Sequence, residues 1–435
     1  MTRAFSALHH RNFRLFWFGQ LISLVGTWMQ SIGQDWLVLT LSHNNALLLG
    51  TVGALQFLPV LILSLFGGVI ADRWPKRRVL LVTQTTAMLL AFTLCTLTAT
   101  HVVQVWHIFV LATLLGIVNA VDMPTRQAFV IEMVGRDDVM NAVALNSSLF
   151  NAARILGPGV GGLLIGWLGI APLFLVNGAS YVAVLIGLAL IRSADLFTTV
   201  RPKSADGLRA SLTQLGEGLR YVRQTTTLLV IVFVIGVVST FALNLNVILP
   251  LFAATVLNIG ASGYGLMSAT IGAGALVGAL VIAATGRKPR VSVLLLSGAI
   301  LALCEIGFSL SRVLPLSLLL LACIGFATVT FAATANTAMQ TGSPDHLRGR
   351  IMGLYVVVFI GSTPIGNLFI GGLAGIWGAP ISLIVCAAIA LLAILVSLRK
   401  HGEVIAAPAG GLLETQQAQP EQAALQEERA ALAAD

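Results

Sequence analysis

Two charged residues, Asp35 and Arg154, stand inside long apolar stretches of the sequence. A carboxyl group removed from water binds a proton more readily, and a guanidinium in the same surroundings requires an acidic or carbonyl partner. Such a carboxylate is suited to proton exchange, with the cation as a group that tunes it. The alternative for Asp35 is a hydrated position at the edge of its stretch. Asp122, which ends another apolar stretch, and Glu305, which lies within one, are further candidates for proton coupling.

A stripe of polar side chains leads up to Asp35 at steps of three and four residues. This spacing places them on one face of a helix. A face with three glutamines is costly against lipid, so it must contact protein or water. The pattern leaves two interpretations open, hydrogen bonding between helices or the lining of a cavity. The members are Gln20, Ser23, Thr27, Gln30 and Gln34.

A second stripe contains Arg154 and again follows helical spacing. Its members are Ser147, Asn151, Arg154 and Pro158. Later apolar stretches contain scattered polar residues that are further candidates for lining a substrate cavity. These are Asn244, Asn246, Asn336, Tyr355 and Asn367.

The composition explains why these polar residues are conspicuous. The chain has 435 residues, of which 57% are hydrophobic and 10% charged, whereas a soluble protein has about 25% charged residues. Little period-2 alternation is present, which favours spanning helices over a β-barrel. The net charge of +8 comes from short cationic clusters between the apolar stretches. We therefore expect a lipid bilayer, and not a nucleic acid, as the partner of this chain.

Twelve apolar stretches are long enough to span a membrane. They predict an all-α membrane protein with two six-helix halves, 1–191 and 226–400, and we expect it to be monomeric. The linker 192–225 is predicted to be cytoplasmic with an interfacial helix at 208–223, and the acidic tail 401–435 is expected to be cytoplasmic and disordered. The predicted spans are 13–40, 47–71, 78–98, 104–124, 140–167, 170–191, 226–252, 262–284, 291–310, 314–338, 350–375 and 379–398.

The positions of the cations test this layout. With both termini inside, 23 of the 25 Lys and Arg residues fall on the cytoplasmic side, as the positive-inside rule requires. The halves also echo each other, since Gly157-Pro158 of the fifth span is mirrored by Thr363-Pro364 of the eleventh. Internal duplication is typical of transporters that have a substrate site near the middle of the membrane. We expect a multi-pass protein of the cell inner membrane.

The loop between the second and third spans has a distinctive pattern, with an acid and four cations in seven residues. Each charge would cost about 2.5–3.5 kcal/mol in hydrocarbon, so the loop must lie at a membrane face. It resembles the signature G-x-x-x-D-R-x-G-R-R of the major facilitator superfamily. The matching residues are Gly68, Asp72, Arg73, Lys76 and Arg77, and Pro75 replaces the second glycine. The resemblance implies that Asp72 holds the cytoplasmic ends of the halves together by pairing with cations and facing a helix N-terminus.

The fifth span contains Gly157, Pro158, Gly161 and Gly162. They resemble the G-P-x-x-G-G signature of the antiporting members of the superfamily. Small residues permit close contact between helices, and proline permits a bend. The pattern Asp122-x-Pro124-x-Arg126-Gln127, with features of the first span, is similar to the bacterial branch that includes the enterobactin exporter and related drug efflux proteins.

This resemblance implies an exporter of drug-like compounds or siderophores that works by proton antiport and alternating access. It also favours a cavity-lining role for the polar stripe of the first span. One departure counts against a standard proton relay, because Ala112 occupies the position in the fourth span where many proton-coupled members have arginine.

No enzyme signature is present. The sequence lacks H-E-x-x-H, a nucleophile elbow and a P-loop, so no ATP motor is encoded and an ion gradient must drive any uphill transport. The four cysteines lie in apolar stretches without metal or redox spacing, and we expect neither a metal nor a cofactor. Two alternatives remain, an ion-coupled importer of a small solute and a non-transporting receptor or scaffold on the same fold.

Overall fold

A computed structural model describes residues 3–197, 208–285, 290–344 and 347–406 of the chain. These residues form α-helices with two short 3-10 helices, Arg3–His9 and Ser193–Asp195, and contain no strand. The α-helices are α1 (Arg11–Leu41), α2 (Ala46–Arg73), α3 (Lys76–Ala99), α4 (Val105–Val134), α5 (Val139–Leu168), α6 (Ala171–Ala189), α7 (Leu208–Gln224), α8 (Thr226–Phe241), α9 (Leu245–Thr255), α10 (Gly260–Thr285), α11 (Val291–Leu310), α12 (Leu314–Thr341) and α13 (Arg348–Ala406).

Within the described residues, ten segments are long and apolar enough to span a membrane. Helix α1 is not among them, because its polar stripe lowers its mean hydropathy. Helices α8 and α9 together form one segment, Thr226–Thr255. The last segment, Arg348–Arg399, has 52 residues, whereas about 20 suffice to cross a bilayer. Gly378 interrupts it with a φ of 76°, a backbone conformation that favours glycine.

The predicted seventh span is interrupted near its middle. Helix α8 ends at Phe241 and α9 begins at Leu245. The buried amide of Asn244 donates to the carbonyl oxygens of Ser239 and Thr240, at 3.1 and 2.7 Å. The side chain thus satisfies carbonyls that the helix leaves without partners where it ends. The sequence pattern missed this break, since apolar residues continue on both sides of it.

The fourth span also differs from its prediction. Helix α4 continues to Val134, ten residues beyond the predicted end at 124. The polar segment after Met123 remains helical because Asp122 and Arg126, one turn apart, form an ion pair. The helix expected in the linker is present as α7. Residues 401–406 continue α13, in contrast to the expected disordered tail, and 407–435 lie outside the described residues.

The helices pack in two groups, which we call the N-terminal helices (α1–α6) and the C-terminal helices (α8–α13). Among the N-terminal helices, α2 packs on α4, and α1 packs on both α5 and α6. Among the C-terminal helices, α12 packs on α10 and α11, and α13 packs on α8 and α11. The groups meet along two pairs, α2 with α13 and α5 with α10. These two seams position the residues between the groups.

Polar contacts join the N-terminal helices at the end that contains residues 73–78 and 135–138, which we call the basic end. The ammonium of Lys76 lies 2.7 Å from the carboxylate of Glu132, so α3 is tied to α4. The guanidinium of Arg77 donates to the carbonyl oxygens of Leu188 and Ala189, both at 2.7 Å. A cation at the C-terminus of α6 also complements the helix dipole. Two residues of the sequence motif therefore stabilise this end.

Candidate functional site

The two helix groups approach most closely at the end opposite the basic end. A Cβ atom added to Gly162 on α5 would lie 2.7 Å from the Cα of Gly265 on α10, and the reverse distance is 2.6 Å. No side chain fits at such distances, so the backbones touch through paired glycines. On the other seam, a Cβ added to Gly371 of α13 would lie 2.8 Å from the carbonyl oxygen of Ala46. The groups are thus in contact at this end.

The remaining small residues of the fifth-span motif face α1. A Cβ at Gly157 would lie 2.5 Å from the Cβ of Trp28, and one at Gly161 would lie 3.0 Å from the side chain of Met29. The predicted close helix contact is confirmed, since the glycines seat α5 between α1 and α10. Pro158, between them, faces a cavity.

A cavity of about 250 Å³ lies between the two helix groups. Residues from α1 and α5 form one wall, and residues from α9, α10, α12 and the break before α9 form the other. Two predicted candidates for proton coupling, Asp35 and Arg154, line this cavity together. Its remaining polar lining comes from Ser31, Asn246, Tyr264, Ser268 and Thr328.

One hydrogen bond crosses the cavity between the helix groups. The hydroxyl of Tyr264 on α10 donates to Oδ2 of Asp35 on α1 at 2.7 Å. The ring of Trp36 stacks on that of Tyr264, with 6.4 Å between the ring centroids. A second hydrogen bond between the groups runs from the hydroxyl of Ser262 to the carbonyl oxygen of Gly162 at 3.0 Å. Asp35 is therefore a contact between the groups as well as part of the cavity wall.

Among the residues that the structure describes, Arg154 has no partner of opposite charge. The side chain is half-buried, and no carboxylate of the described residues lies within 4.0 Å of it. Asp35 lines the same cavity without forming an ion pair with it. The structure thus places both residues in the lining of one cavity, and their joint role in proton coupling stays a prediction.

The polar stripe of α1 faces other helices of its own group. The guanidinium of Arg126 donates to Gln20, and the amide of Asn177 on α6 donates to Oε1 of Gln30 at 2.6 Å. Thr27 bonds to the carbonyl oxygen of Ser23 one turn earlier. Gln20, Ser23, Gln30 and Gln34 are all buried, and no residue of the stripe lines the cavity described above. The expected cavity-lining role is thus replaced, in this conformation, by the alternative of hydrogen bonding between helices.

Asp122 is buried at the centre of a polar network among the N-terminal helices. Its Oδ1 accepts from Thr83 at 2.7 Å and from the amide of Gln84 at 2.8 Å, while Oδ2 accepts from Arg126. Both oxygens are therefore satisfied, and the carboxylate has a charged partner. Asp122 therefore joins α3 to α4 within the N-terminal helices and does not line the cavity between the groups.

Glu305 on α11 and Asn367 on α13 are fully buried, and Asn367 lies at the seam between α13 and α2. Neither the Glu305 carboxyl oxygens nor the Asn367 amide atoms have a hydrogen-bond partner within the described residues. A Cβ atom added to Gly53 would lie close to the side-chain amides of both Asn367 and Asn246. These two amides are therefore near each other. Glu305 does not line the cavity, so only Asp35 is the acidic lining residue among the candidates.

Most other predicted lining residues lie away from this cavity. Asn151 donates to the carbonyl oxygen of Ser147 on its own helix, and Ser147 is exposed. Asn336 accepts from the amide of Gln340 at 2.6 Å, and Tyr355 stacks on Phe359. Of the five scattered candidates, Asn246 alone lines the cavity.

Asp72 at the basic end is exposed and forms no ion pair or hydrogen bond within the described part of the chain. The neighbouring Arg73 is also exposed, and a Cβ at Gly68 would meet no atom within 4 Å. The expected pairing of Asp72 is therefore not made in this conformation. The helix groups touch at the end opposite the basic end, whereas Asp72 at the basic end has no partner among the described residues. We infer that the bundle is closed opposite the basic end.

Sequence reasoning missed several residues of the cavity. Tyr264 is separated from Asp35 by 229 positions, and no local pattern indicates that they meet. Thr328 sits in an apolar helix without a polar stripe, and no local pattern distinguishes Trp28 as a lining residue. Ser31 comes directly after Gln30 of the polar stripe. Its position beside the stripe was the sequence signal that could have indicated a lining role.

Comparisons with known proteins agree with this architecture. The model of the family described as transmembrane secretion effector matches residues 2–430. Among solved structures, a POT family transporter in complex with 5-aminolevulinic acid has a TM-score of 0.72 at 12% identity, covering 91% of this chain and 97% of that chain. A bacterial homologue of the human lysosomal transporter Spinster, in an inward-facing and unoccupied conformation, has a TM-score of 0.71 at 13% identity, covering 92% and 99%. These likenesses establish the fold.

Relatives with similar sequences are transporters and efflux proteins. The multidrug efflux pump Tap of Mycolicibacterium fortuitum is 28% identical over 82% of this chain and 88% of that protein. The enterobactin exporter EntS of Shigella flexneri is 24% identical over 84% and 85%. The staphyloferrin A transporter of Staphylococcus aureus is 33% identical, but the match spans only 41% of this chain and 45% of that transporter. The chain is a multi-pass membrane protein that belongs to the transmembrane secretion effector family of major facilitator superfamily transporters.

Proposed function

We propose that this protein exports small organic molecules, either drug-like compounds or siderophores, across the cell inner membrane by proton antiport with alternating access. The observation that carries the proposal is Asp35, a carboxylate that lines the cavity between the helix groups and is bonded across it to Tyr264. A proton-exchanging group in an antiporter must change its surroundings during the cycle. Asp35 meets this requirement, since separation of the groups would break its bond.

The direction of transport is supported by two relatives that align over most of this chain, a multidrug efflux pump and an enterobactin exporter. They also support the substrate class. Import of a small solute is the alternative direction, and the staphyloferrin A transporter, which aligns over 41% of this chain, carries no direction in its name.

In the proposed cycle, the closed contact opposite the basic end separates and exposes Asp35 to that side. The carboxylate then loses Tyr264 as a hydrogen-bond donor and takes up a proton. When the groups close again, the proton leaves toward the basic end and Tyr264 returns to Asp35. Arg154, which lines the same cavity, favours the ionised carboxylate when the two approach. Their separation can change because they lie on different helices.

The proposed topology has twelve spans in two halves, 1–191 and 226–400. It adds α1 and a second pass of α13 to the ten apolar segments, with the reversal of α13 near Gly378. Helix α7 would then lie along the cytoplasmic surface, and both termini would be cytoplasmic. Reporter fusions after Lys400 and at Asn44 test this layout, and they should report the inside and the outside of the cell respectively. An outside position after Lys400 would contradict it.

The function is tested with the full-length protein reconstituted into liposomes that carry an imposed pH gradient. We expect uphill movement of a drug such as ethidium, or of a catecholate siderophore, and its loss when an ionophore collapses the gradient. Counterflow with the same compounds should persist without a gradient, because exchange of substrate requires only alternating access. Transport that is unaffected by the ionophore would contradict proton antiport, and net uptake in the opposite direction would favour the importer.

A further inference from the structure

We infer that Arg154 forms a subsite for the anionic group of an aromatic acid in the cavity between the helix groups. This inference rests on the proposed function, since it names the substrate class that the same cavity accepts. Four features of the cavity lead to it, namely the charge at Arg154, the neutral lining around it, the aromatic surfaces and the volume.

The first feature is an uncompensated cation. Arg154 lines the cavity, and no carboxylate of the described residues lies within 4.0 Å of it. A charged side chain inside a membrane protein is costly unless it has a partner. A guanidinium presents a planar array of donors that matches a carboxylate in two parallel hydrogen bonds. A mobile anion that enters the cavity would supply the partner that the protein does not.

The second feature is that Asp35, the one acidic residue among the described lining of this cavity, already has a hydrogen-bond donor. Asp35 accepts from Tyr264 at 2.7 Å, and the other polar lining groups are neutral hydroxyls and one amide. These neutral groups can donate to a bound anion without opposing its charge. The cavity therefore presents the guanidinium of Arg154 on α5 without an ionic partner among the described residues. The carboxylate of Asp35 on α1 is already hydrogen-bonded to Tyr264.

The third and fourth features concern an aromatic ring. Two aromatic residues, Trp28 and Tyr264, are among the lining residues, and aromatic side chains favour offset stacking or edge-to-face contact with a planar ligand. The cavity of about 250 Å³ is larger than a cavity of about 150 Å³ that accommodates benzene. One aromatic ring with a carboxylate and a hydroxyl substituent fits this space, whereas a compound with several rings would require the cavity to enlarge.

The inference is tested by equilibrium binding of radiolabelled salicylate and salicylamide to full-length protein in lipid nanodiscs at pH 7.5, without any gradient. The two probes have nearly the same size, and only salicylate carries a negative charge. We expect salicylate to bind about tenfold more tightly or better, since hydrogen bonds to charged groups are the stronger ones. Arg154→Gln should make the two affinities equal, and Arg154→Lys should retain part of the preference because the charge remains.

Arg136→Gln is the matched control, since Arg136 is an exposed residue of the loop before α5; it should leave the preference unchanged. Elution of each variant as a single monodisperse species shows that it is folded. Equal affinities in the unchanged protein, no binding of either probe, or a preference that survives Arg154→Gln would each overturn the inference. So would tighter binding of tetraphenylphosphonium that disappears in Asp35→Asn, because the subsite would then select cations.

Failure of this inference is separable from failure of the proposed function. Binding in nanodiscs requires no proton gradient, whereas efflux from liposomes requires coupling. If ethidium is pumped but salicylate shows no advantage over salicylamide, the exporter stands and the anion subsite does not. If salicylate binds through Arg154 but no compound is moved by a pH gradient, the subsite stands and proton antiport does not.

Discussion

The hydroxyl of Tyr264 lies 2.7 Å from Oδ2 of Asp35, although 229 positions separate the two residues in the chain. The bond joins α1 to α10, so it connects one helix group to the other beside the cavity. It can exist only while the groups are in contact there. The carboxylate that we propose as the proton carrier therefore also forms a contact that depends on the conformation.

The first prediction concerns this pair. Asp35→Asn should abolish efflux driven by a pH gradient, because an amide does not exchange a proton in this range, yet counterflow should continue. Tyr264→Phe should keep gradient-driven efflux but change its rate, since it removes a hydrogen bond to a charged group worth about 1.5–3 kcal/mol. Both effects are measured in liposomes with and without an imposed gradient.

Glu305→Gln is the informative comparison for Asp35→Asn. Unlike Asp35, Glu305 is a buried acidic candidate without a hydrogen-bond partner in the described residues, and it does not line the cavity. We expect Glu305→Gln to retain coupled efflux. Full gradient-driven efflux by Asp35→Asn would eliminate Asp35 as the proton carrier and direct attention to Glu305 or Asp122.

The second prediction concerns the glycine contact between α5 and α10. Gly265→Val should force the helices apart, because a Cβ there would lie 2.6 Å from the Cα of Gly162. Overpacking of this kind typically costs about 1–3 kcal/mol, which should shift the population toward the state open opposite the basic end. In a cysteine-free background with Ser268→Cys in the cavity wall, labelling by an impermeant maleimide from that side should increase.

Gly372→Val provides the control for this substitution. A Cβ at Gly372 on α13 would meet no atom within 4 Å, so the same side chain should be accommodated there without a change in labelling. Equal labelling of the Gly265→Val protein and its parent would show that the glycine pair does not hold this end closed.

The sequence predicted the features that depend on local spacing. The fifth-span glycines were expected to permit close helix contact, and their spacing places Gly157 and Gly161 against α1 and Gly162 against α10. It also placed Asp35 and Arg154 in apolar helices, where a charged side chain must face protein or a cavity. Both line the same cavity.

Contacts between residues on different helices could not be predicted from the sequence pattern. The stripe that contains Gln20 and Gln30 is helical and faces protein, as its period requires, but the period does not say which helix it meets. The structure pairs Gln30 with Asn177 of α6, and Gln20 with Arg126 of α4. The absence of a partner for Asp72 among the described residues could not be predicted either. The contacts of this residue depend on which end of the bundle is closed.

The third prediction concerns Asp72. Because this side chain is exposed and unpaired within the described residues, Asp72→Asn should leave the folding of the conformation seen here unchanged. It should nevertheless slow efflux, since we propose that Asp72 forms its contacts when the basic end closes. Elution as a monodisperse species and counterflow rates in liposomes measure the two effects. Asp195→Asn, also exposed, is the control, and normal turnover by Asp72→Asn would leave the loop with a topological role alone.

The fourth prediction concerns the N-terminal segment. Asp138, just before α5, accepts hydrogen bonds from the hydroxyl of Ser6 at 2.6 Å and interacts with Nε2 of His10 at 2.8 Å. These bonds, that from Ser6 foremost, lower the pKa of Asp138 below its ordinary value of 3.8. They favour the ionised carboxylate, so the stabilisation is fully present above pH 3.8 and is lost as the pH falls through the lowered pKa.

Asp138→Asn should therefore loosen the 3-10 helix Arg3–His9 at neutral pH, where the native contact is fully formed. Hydrogen exchange of the amides of residues 5–10 should become faster in this variant than in the parent protein. Asp137→Asn, an exposed neighbour, should leave exchange unchanged. The parent protein should approach the variant only in strongly acidic solution, below the ordinary pKa of the carboxyl group. Equal protection of the segment in Asp138→Asn and its parent at neutral pH would mean that other contacts hold the segment, such as the bond from the amide of Ala7 to Asn141 at 3.0 Å.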